Sequence, residues 1–378
     1  MLGHGGVLAV GRQLRADGLA FAHLIGDLAQ EIAHLDNVVA ALGRTKRLAV
    51  DLFGSHVHGN PVVANRGQKH RHWAFVDDFG KDQAMHVHLI DGTYELFRYY
   101  FAAPSHTTDS GQEVGAVRGV LGSMIQMVEN GATHIGIATD HVIESFRNDL
   151  WDGYKDGSEI EEGIASQFNL LEEVLEAAGF TVWPMVEFEA DDALGAAAHK
   201  YADAPGVDEV WICTPDKDLA QCVDDERGIK QYDRRKQLLY DEAGVTEKFG
   251  VAPASIPDYL ALVGDTADGF PGLSGWGAKS SSTVLARYGH VDDIPTAAGQ
   301  WDITVRSGAK LAQTLADNLD LALLFRRIAT IELDAPVDED VASLEWTGPA
   351  NNFAELAKSI DADRQLERME RLVEKRST

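Results

Sequence analysis

Nine acidic residues are distributed along the chain at positions where their carboxylates can combine into one site. Seven follow short apolar runs typical of buried strands, and two more, three residues apart, follow a glycine; the nine are Asp91, Asp140, Glu189, Asp191, Asp192, Asp216, Asp218, Asp265 and Asp268. Because the carboxyl ends of parallel strands meet at one edge of a sheet, we expect these groups to converge there. Nine converging carboxylates repel each other, so the pattern predicts bound divalent cations.

The ligand chemistry indicates which metal and which reaction. Oxygen ligands without accompanying Cys or His favour Mg²⁺ or Mn²⁺ over Zn²⁺. Two such ions about 4 Å apart can activate a water, neutralise a phosphodiester and stabilise the leaving oxygen. We therefore predict phosphodiester hydrolysis. A single Asp before a helix is more often an N-terminal cap, and Asp192 and Asp268 are the members most open to that interpretation.

Strands and helices alternate from Met85 to about residue 241, which predicts the α/β fold class with a mostly parallel central sheet and flanking helices. Apolar runs predict strands at 87–90, 134–138, 181–185 and 210–213. Helical spacing predicts helices around 114–128, 168–178 and 190–201. Beyond residue 242 the sequence is mostly helical and punctuated by glycines. These elements would bring the acidic residues to one edge of the sheet.

Composition limits the classes of function. The chain has 378 residues, of which 45% are apolar and 25% charged, and its formal charge is −27. Diffuse basic attraction therefore cannot hold a polyanion, and any nucleic-acid contact must be local. Two cysteines, and no apolar run long enough for a membrane span, favour a cytoplasmic protein without a membrane partner.

A glycine-rich segment, 271–279, supplies one local feature. Its outer glycines are spaced as in a P-loop, but Ala278 stands where that motif requires a glycine before the lysine. A helix-hairpin-helix-like turn fits better, because glycines let backbone N–H groups approach a phosphate at the positive end of the following helix. The candidate DNA-binding residues here are Gly272, Gly275, Gly277, Lys279, Ser280, Ser281 and Ser282.

A second segment, 143–155, combines aromatic residues with two cations, Arg147 and Lys155. Stacking on exposed aromatics together with phosphate pairing suits single-stranded nucleic acid. An amphipathic helix that buries Phe146, Leu150 and Tyr154 explains the aromatics equally well. The two cations are therefore the better candidates for contact with nucleic acid.

Five blocks, in order, resemble the 5′ nuclease family, most closely the 5′ to 3′ exonuclease domain of bacterial DNA polymerase I and its stand-alone relatives. They are Leu89-Ile-Asp-Gly, Phe146-Arg147 with Tyr154-Lys155, Glu189-Ala-Asp-Asp, Asp216-Lys-Asp-Leu-Ala-Gln and Gly264-Asp-Thr-Ala-Asp-Gly-Phe-Pro-Gly. The resemblance spans about residues 85–335. No polymerase region follows these blocks, so a stand-alone nuclease is expected.

The resemblance implies a domain organisation. A PIN-like 5′ nuclease core is expected at 85–241, with a helical arch at about 143–165. A helix-three-turn-helix DNA-binding region at 242–335 and a C-terminal tail with a helix at 336–378 would follow. Residues 1–84 are expected to be an N-terminal extension or the result of a misassigned start.

The resemblance also implies the roles of residues. The enzyme would be a monomeric, metal-dependent hydrolase that acts on DNA with 5′ flaps, nicks or RNA primers during replication and repair. Arg98 and Lys155 would neutralise the scissile phosphate, and a K⁺ ion in the helix-three-turn-helix would contact Ser281 or Ser282. The first divalent ion would be held by Asp91, Asp140, Glu189 and Asp191, and the second by Asp216, Asp218 and Asp265, with support from Asp192 and Asp268.

Two other functions stand as alternatives. A non-catalytic DNA-junction binding protein, in which the carboxylates only hold structure, would bind flaps without cutting them. A related nuclease acting on RNA is the other, although such proteins commonly lack an element like the segment 272–279.

Overall fold

The computed structural model describes residues 84–158 and 160–376. Apart from Ala84, the expected N-terminal extension lies outside these residues. No helix within the described ranges is long and apolar enough to cross a membrane.

A six-stranded sheet forms the centre of the first half of the described chain. Its strands are β1 (Met85–Asp91), β2 (His134–Asp140), β3 (Thr181–Met185), β4 (Val207–Cys213), β5 (Ile229–Asp233) and β6 (Leu238–Tyr240). The spatial order is β3-β2-β1-β4-β5-β6, and every neighbouring pair is parallel except β5 with β6. The predicted mostly parallel α/β sheet is confirmed.

The structure adds two strands, β5 and β6, that the sequence analysis did not predict. In β5 buried positions alternate with half-buried ones, and β6 has no buried position at all. Neither strand therefore contains the continuous apolar run by which the other four strands were recognised.

Thirteen α-helices lie within the described residues. In the sheet region they are α1 (Gly92–Ala102), α2 (Gly115–Glu129), α3 (Phe146–Leu150), α4 (Glu162–Ala165), α5 (Phe168–Ala177) and α6 (Ala190–Ala202). They continue with α7 (Glu242–Phe249), α8 (Ile256–Val263), α9 (Ala278–Tyr288), α10 (Gly308–Asp317), α11 (Leu319–Ala329), α12 (Phe353–Ser359) and α13 (Asp363–Arg376). The region predicted as a helical arch contains two short helices, α3 and α4, rather than one long helix.

Three buried apolar clusters hold these elements together. One face of the sheet packs against α2 and α5, and α13 closes this layer through the buried side chain of Met369. The opposite face packs against the alanine-rich α6. A third cluster joins α8, α9 and α11, with Phe325 fully buried among them. Because both faces of the sheet are covered, a ligand can reach the sheet at the carboxyl ends of the strands.

Candidate metal centre

The first two acidic residues end neighbouring strands and also cap helices. Asp91, at the end of β1, accepts hydrogen bonds from the backbone N–H of Tyr94 at 2.7 Å and from the hydroxyl of Thr214 at 2.9 Å. Asp140, at the end of β2, accepts one from the N–H of Ala190, the first residue of α6, at 2.8 Å. Asp91 is therefore held through both of its carboxylate oxygens and Asp140 through one, and both carboxylates remain at the sheet edge.

Asp191 and the loop after β4 supply further acidic groups. Within residues 84–158 and 160–376 the Asp191 carboxylate has no hydrogen-bond or ion-pair partner. Asp216 accepts the N–H of Asp218 at 3.0 Å. Asp218 begins a short 3-10 helix, is buried, and leaves its Oδ1 without a partner among the described atoms. A buried carboxylate oxygen without a partner is costly unless a ligand reaches it.

Asp218, Asp265 and Asp268 come close enough to share one ion. Each offers a carboxylate oxygen, and the three oxygens lie within 4.8 Å of one another. Asp265 is held by the N–H of Ala267 at 3.0 Å and pairs with the ammonium of Lys217. The loop after α8 thus delivers two carboxylates to the acidic edge of the sheet.

The pKa shifts show that these groups face a common space. Burial raises the pKa of Asp91 to about 7, and the carboxylates of Asp140 and Asp216 act in the same direction. Burial and then Asp216 and Asp91 raise the pKa of Asp191. Burial followed by Asp216, Asp268 and Asp265 raises the pKa of Asp218. Mutual repulsion therefore links carboxylates that follow the four strands β1 to β4 and carboxylates from the loop after α8.

Asp216 occupies an intermediate environment. Its side chain keeps contact with solvent, yet its pKa is also raised. Burial of the carboxyl group by the surrounding protein atoms is the largest cause, and the negative charges of Asp268 and Asp265 raise the pKa further. We regard Asp216 as an accessible member of the cluster rather than a buried one.

Lys155 connects the segment after α3 to the acidic cluster. Its Nζ lies 3.3 Å from Glu189 and 3.1 Å from Asp268. Glu189 also accepts hydrogen bonds from the hydroxyls of Ser145 at 2.8 Å and Tyr154 at 3.1 Å. Tyr154 is buried, so this aromatic ring does not offer a stacking surface. The expected amphipathic helix through Tyr154 is not formed either, because α3 ends at Leu150, which is exposed.

The expected DNA contact of Arg147 is wrong, and so is the expected place of Asp192 beside the metal ions. Arg147 is 2% exposed and forms a two-pronged ion pair with Asp192, at 2.7 and 2.8 Å. Its remaining donors reach the carbonyls of Ile328 and Thr330. Asp192 is fully buried and also accepts the N–H groups of Glu189 and Glu332. Both residues are therefore structural.

Arg98 is also engaged inside the protein. Its guanidinium pairs with Glu95 one turn earlier on α1 and stacks on the ring of Tyr99. Glu95 is buried and pairs with Arg234 at 3.0 Å on its other side. With its side chain 28% exposed, Arg98 retains a limited route to a ligand.

The glycine-rich segment forms a turn that leads into α9. Gly272 and Gly275 have φ values of +65° and +85°, in the region that favours glycine. Gly277 is the N-cap residue of α9, and the Ser280 hydroxyl accepts its N–H at 3.0 Å. Lys279 is exposed in the first turn of the helix.

The two serines proposed for K⁺ differ in their surroundings. The Ser281 hydroxyl is buried without a partner among the described residues, whereas the Ser282 hydroxyl donates to the carbonyl of Lys279.

Two contributors were missed by the sequence analysis. Thr214 orients Asp91, and Lys217 neutralises Asp265. Both lie in the segment Thr214-Pro-Asp-Lys-Asp, so their position beside two candidate ligands was the available signal.

The donor set fits a divalent cation. Within the described chain, Lys or Arg pairs with four of the nine carboxylates, and the five without such a partner are Asp91, Asp140, Asp191, Asp216 and Asp218. Uncompensated oxygens at one edge of a sheet, without Cys or His among them, suit a hard ion. Fold and site together define an α/β protein with an acidic cation-binding pocket at the carboxyl edge of a parallel sheet.

Comparison with known proteins identifies the family. Residues 86–250 match the family model for the 5′-3′ exonuclease N-terminal resolvase-like domain, and residues 251–352 match that for the 5′-3′ exonuclease C-terminal SAM fold. A 5′-3′ exonuclease of Aquifex aeolicus is 30% identical over 210 residues, which cover 55% of this chain and 71% of that protein. The chain belongs to the 5′-3′ exonuclease family, as the sequence blocks predicted.

Larger relatives contain this region as a part. The DNA polymerase I of Rhizobium leguminosarum is 32% identical over 269 residues, covering 68% of this chain and 26% of the polymerase. The chain therefore matches only about a quarter of that relative's length.

Solved structures support the fold. T5 5′-exonuclease with bound zinc gives a TM-score of 0.51 at 19% identity, covering 76% of this chain and 98% of that one. The catalytic core of Rad2 in complex with DNA gives 0.52 at 14% identity, covering 77% and 92%.

Proposed function

We propose that this chain is a structure-specific 5′ to 3′ exonuclease and flap endonuclease that hydrolyses DNA phosphodiesters with two divalent ions, Mg²⁺ or Mn²⁺. One observation carries the proposal: carboxylates from several strand ends converge at one sheet edge, and five of the nine have no Lys or Arg partner among the described residues. The substrates would be DNA with 5′ flaps, nicks or RNA primers in replication and repair. We also propose that the protein acts as a monomer in the cytoplasm.

The residues divide between two ion positions by their place on the sheet. Asp91, Asp140, Glu189 and Asp191 would hold one ion, and Asp216, Asp218, Asp265 and Asp268 the other. When bound, the ions supply an activated water and neutralise charge on the scissile phosphate and the leaving oxygen. Asp192 is outside both sets because Arg147 already neutralises it.

Several side chains prepare the site for a phosphate. Thr214 and the N–H of Tyr94 hold the Asp91 carboxylate in one orientation. Lys155 remains charged, since Asp268 and Glu189 raise its pKa despite the opposing effect of burial, which is the largest single influence. Its ammonium lies at the acidic edge, where a positive charge would stabilise the growing negative charge on a phosphoryl oxygen.

The glycine turn would bind the duplex part of the substrate. Gly275 and Gly277 are exposed and keep the backbone free of side chains before α9, and Lys279 adds an exposed positive charge. Gly272 is buried against the backbone of Gly264 and shapes the turn instead. Ser280 holds the cap of the helix. A K⁺ ion at this turn is part of the proposal, and the unpartnered hydroxyl favours Ser281 over Ser282 as its ligand.

A metal-titrated assay on labelled 5′-flap, nicked and single-stranded DNA tests this function. We expect cleavage of the flap that requires Mg²⁺ or Mn²⁺, is absent in EDTA and is lost in Asp216→Asn. Flap binding without cleavage under any divalent ion would instead indicate the junction-binding alternative. Cleavage by Asp216→Asn at a nearly normal rate would contradict the two-ion site.

A further inference from the structure

The turn between β5 and β6 carries three consecutive basic residues in a chain whose formal charge is −27. Arg234 is used internally, since it pairs with Glu95 at 3.0 Å and donates to Ser123 at 2.8 Å. Arg235 and Lys236 are exposed. Lys236 lies 3.3 Å from Asp233 but keeps 66% of its side chain exposed. Two cations at this turn are therefore directed to solvent.

A third cation adjoins the turn. Lys248, in the last turn of α7, places its Nζ 4.7 Å from the ring centres of both Tyr240 and Phe249. Neither Lys248 nor Arg235 has an acidic partner at ion-pair distance in residues 84–158 and 160–376. The pKa of Lys248 is lowered, first by partial burial and then by the nearby charge of Lys236. An anion placed between these two lysines would relieve their repulsion.

The end of α7 that carries Lys248 borders α9, and the acidic cluster is within electrostatic range of these cations. At one end, α7 finishes at Gly250, where an added Cβ would be 2.9 Å from the Cβ of Ser282 in α9. The Ser282 hydroxyl in turn donates to the carbonyl of Lys279. On the side of the acidic cluster, the carboxylate of Asp216 acts on the pKa of Lys248, and the charge of Arg235 acts on that of the Tyr94 hydroxyl.

We propose that Arg235, Lys236 and Lys248 form a second phosphate-binding surface, the hairpin track, which contacts the backbone of duplex DNA between the glycine turn and the metal centre. The proposal rests on the proposed nuclease function for its ligand. Acidic residues also occur at the start of α7 and within it, namely Asp241, Glu242 and Glu247. Because these carboxylates repel phosphates, the contact is confined to a few phosphates. Continuity with the glycine turn favours duplex DNA over an acidic protein as the partner.

Salt-dependent binding of a short blunt DNA duplex by the full chain tests the track. Fluorescence anisotropy in Ca²⁺ buffer over a range of KCl concentrations gives the slope of log K against log salt. Each lost phosphate contact should reduce this slope by about 0.9. We expect a reduction of about 2 in Arg235→Gln/Lys236→Gln and of about 1 in Lys248→Met, with affinity about tenfold lower for the double variant. The methionine keeps an apolar side chain between the two rings.

The matched control is Lys358→Gln/Arg364→Gln. It removes the same charge from two exposed positions, one on α12 and one in the first turn of α13. It should leave the slope at the wild-type value. An unchanged slope in the track variants, or an equal loss in the control, would overturn the proposal. Flap cleavage by the wild type in Mg²⁺ is measured separately. A wild type that binds but never cuts refutes the nuclease function alone, whereas normal cutting with unchanged slopes refutes the track alone.

Discussion

Arg147 and Asp192 form a buried, two-pronged ion pair that joins the segment after β2 to the start of α6. The two N···O distances are 2.7 and 2.8 Å, and the same guanidinium binds the carbonyls that end α11, at Ile328 and Thr330. Asp192 additionally accepts the N–H of Glu189. The pair therefore fixes the backbone of Glu189, a proposed metal ligand, and the Arg147 guanidinium also lies 3.7 Å from the Glu189 carboxylate.

Removing one partner of this pair should destabilise the protein strongly. Arg147→Met leaves the Asp192 carboxylate buried without its cation, and we expect a loss of about 3–5 kcal/mol in the free energy of unfolding. The double variant Arg147→Met/Asp192→Leu should lose less, because no charge is left unpaired. Urea unfolding followed by circular dichroism measures both. Arg147→Met with normal stability and reduced DNA affinity would restore the DNA-contact role.

The Asp218 carboxylate should lower the stability of the metal-free protein while being required for cleavage. This buried group is repelled by Asp216 and Asp268, so Asp218→Asn removes a charge that the metal-free fold tolerates poorly. We expect a higher melting temperature in EDTA. We also expect flap cleavage to fall by about 100-fold or more, because substituting a residue that only supports a metal ligand already costs about 10- to 100-fold. Asp109→Asn, at an exposed position without an ion-pair partner among the described residues, is the control for charge alone. Lower stability in EDTA would show that Asp218 holds structure.

The pH dependence of stability should follow Asp91. Burial, with help from Asp140 and Asp216, raises its folded-state pKa from 3.8 to about 7, so between these values the folded protein keeps a proton that the unfolded chain has lost. The stabilisation of the folded state by this proton is complete below pH 3.8 and is lost as the pH rises to about 7. For a pKa shift of this size, it amounts to a few kcal/mol at most.

Urea unfolding in EDTA at several pH values measures this contribution. Asp91→Asn should show a shallower decline than the wild type, because the raised pKa values of Asp191, Asp216 and Asp218 also contribute to it. Mg²⁺ should stabilise the wild type more at higher pH, since the ion competes with the bound protons. Identical pH profiles for the two proteins would refute the assignment.

The glycine turn gives a matched pair of backbone variants. A Cβ on Gly272 would lie 2.3 Å from the amide nitrogen of Gly264, and its φ is +65°, so Gly272→Ala should cost about 1–3 kcal/mol. Gly277 has a φ of −135° and no atom within 4 Å of an added Cβ, so Gly277→Ala should cost less than about 1 kcal/mol. Urea unfolding compares them, and equal costs would contradict the geometry.

Lys155 should act on the chemical step. Lys155→Met removes the only side-chain ammonium that bridges Glu189 and Asp268 among the described residues, and we expect single-turnover flap cleavage to fall by about 10²- to 10³-fold. Lys358→Met, with an exposed lysine on α12, is the control. A drop confined to substrate affinity, with the saturated rate unchanged, would assign Lys155 to binding instead.

Much of the fold was predictable because it depends on local patterns. Strands β1 to β4 contain apolar runs, and helices α2, α5 and α6 have regular apolar spacing. The positions of Asp91 and Asp140 follow directly from the ends of β1 and β2. By contrast, β5 and β6 were missed because neither contains a continuous buried run, and β6 lies at the edge of the sheet.

The sequence alone determined that carboxylates from separate segments reach one edge of a parallel sheet, because strand direction and helix alternation follow from nearby residues. Only the tertiary structure decided which of them are neutralised. Asp191 and Asp192 are adjacent in the chain, yet the first faces the acidic cleft while the second meets Arg147 in the core. Neighbouring residues on a helix point in different directions, and ion pairing depends on groups such as Ile328 and Thr330 that are far away in sequence.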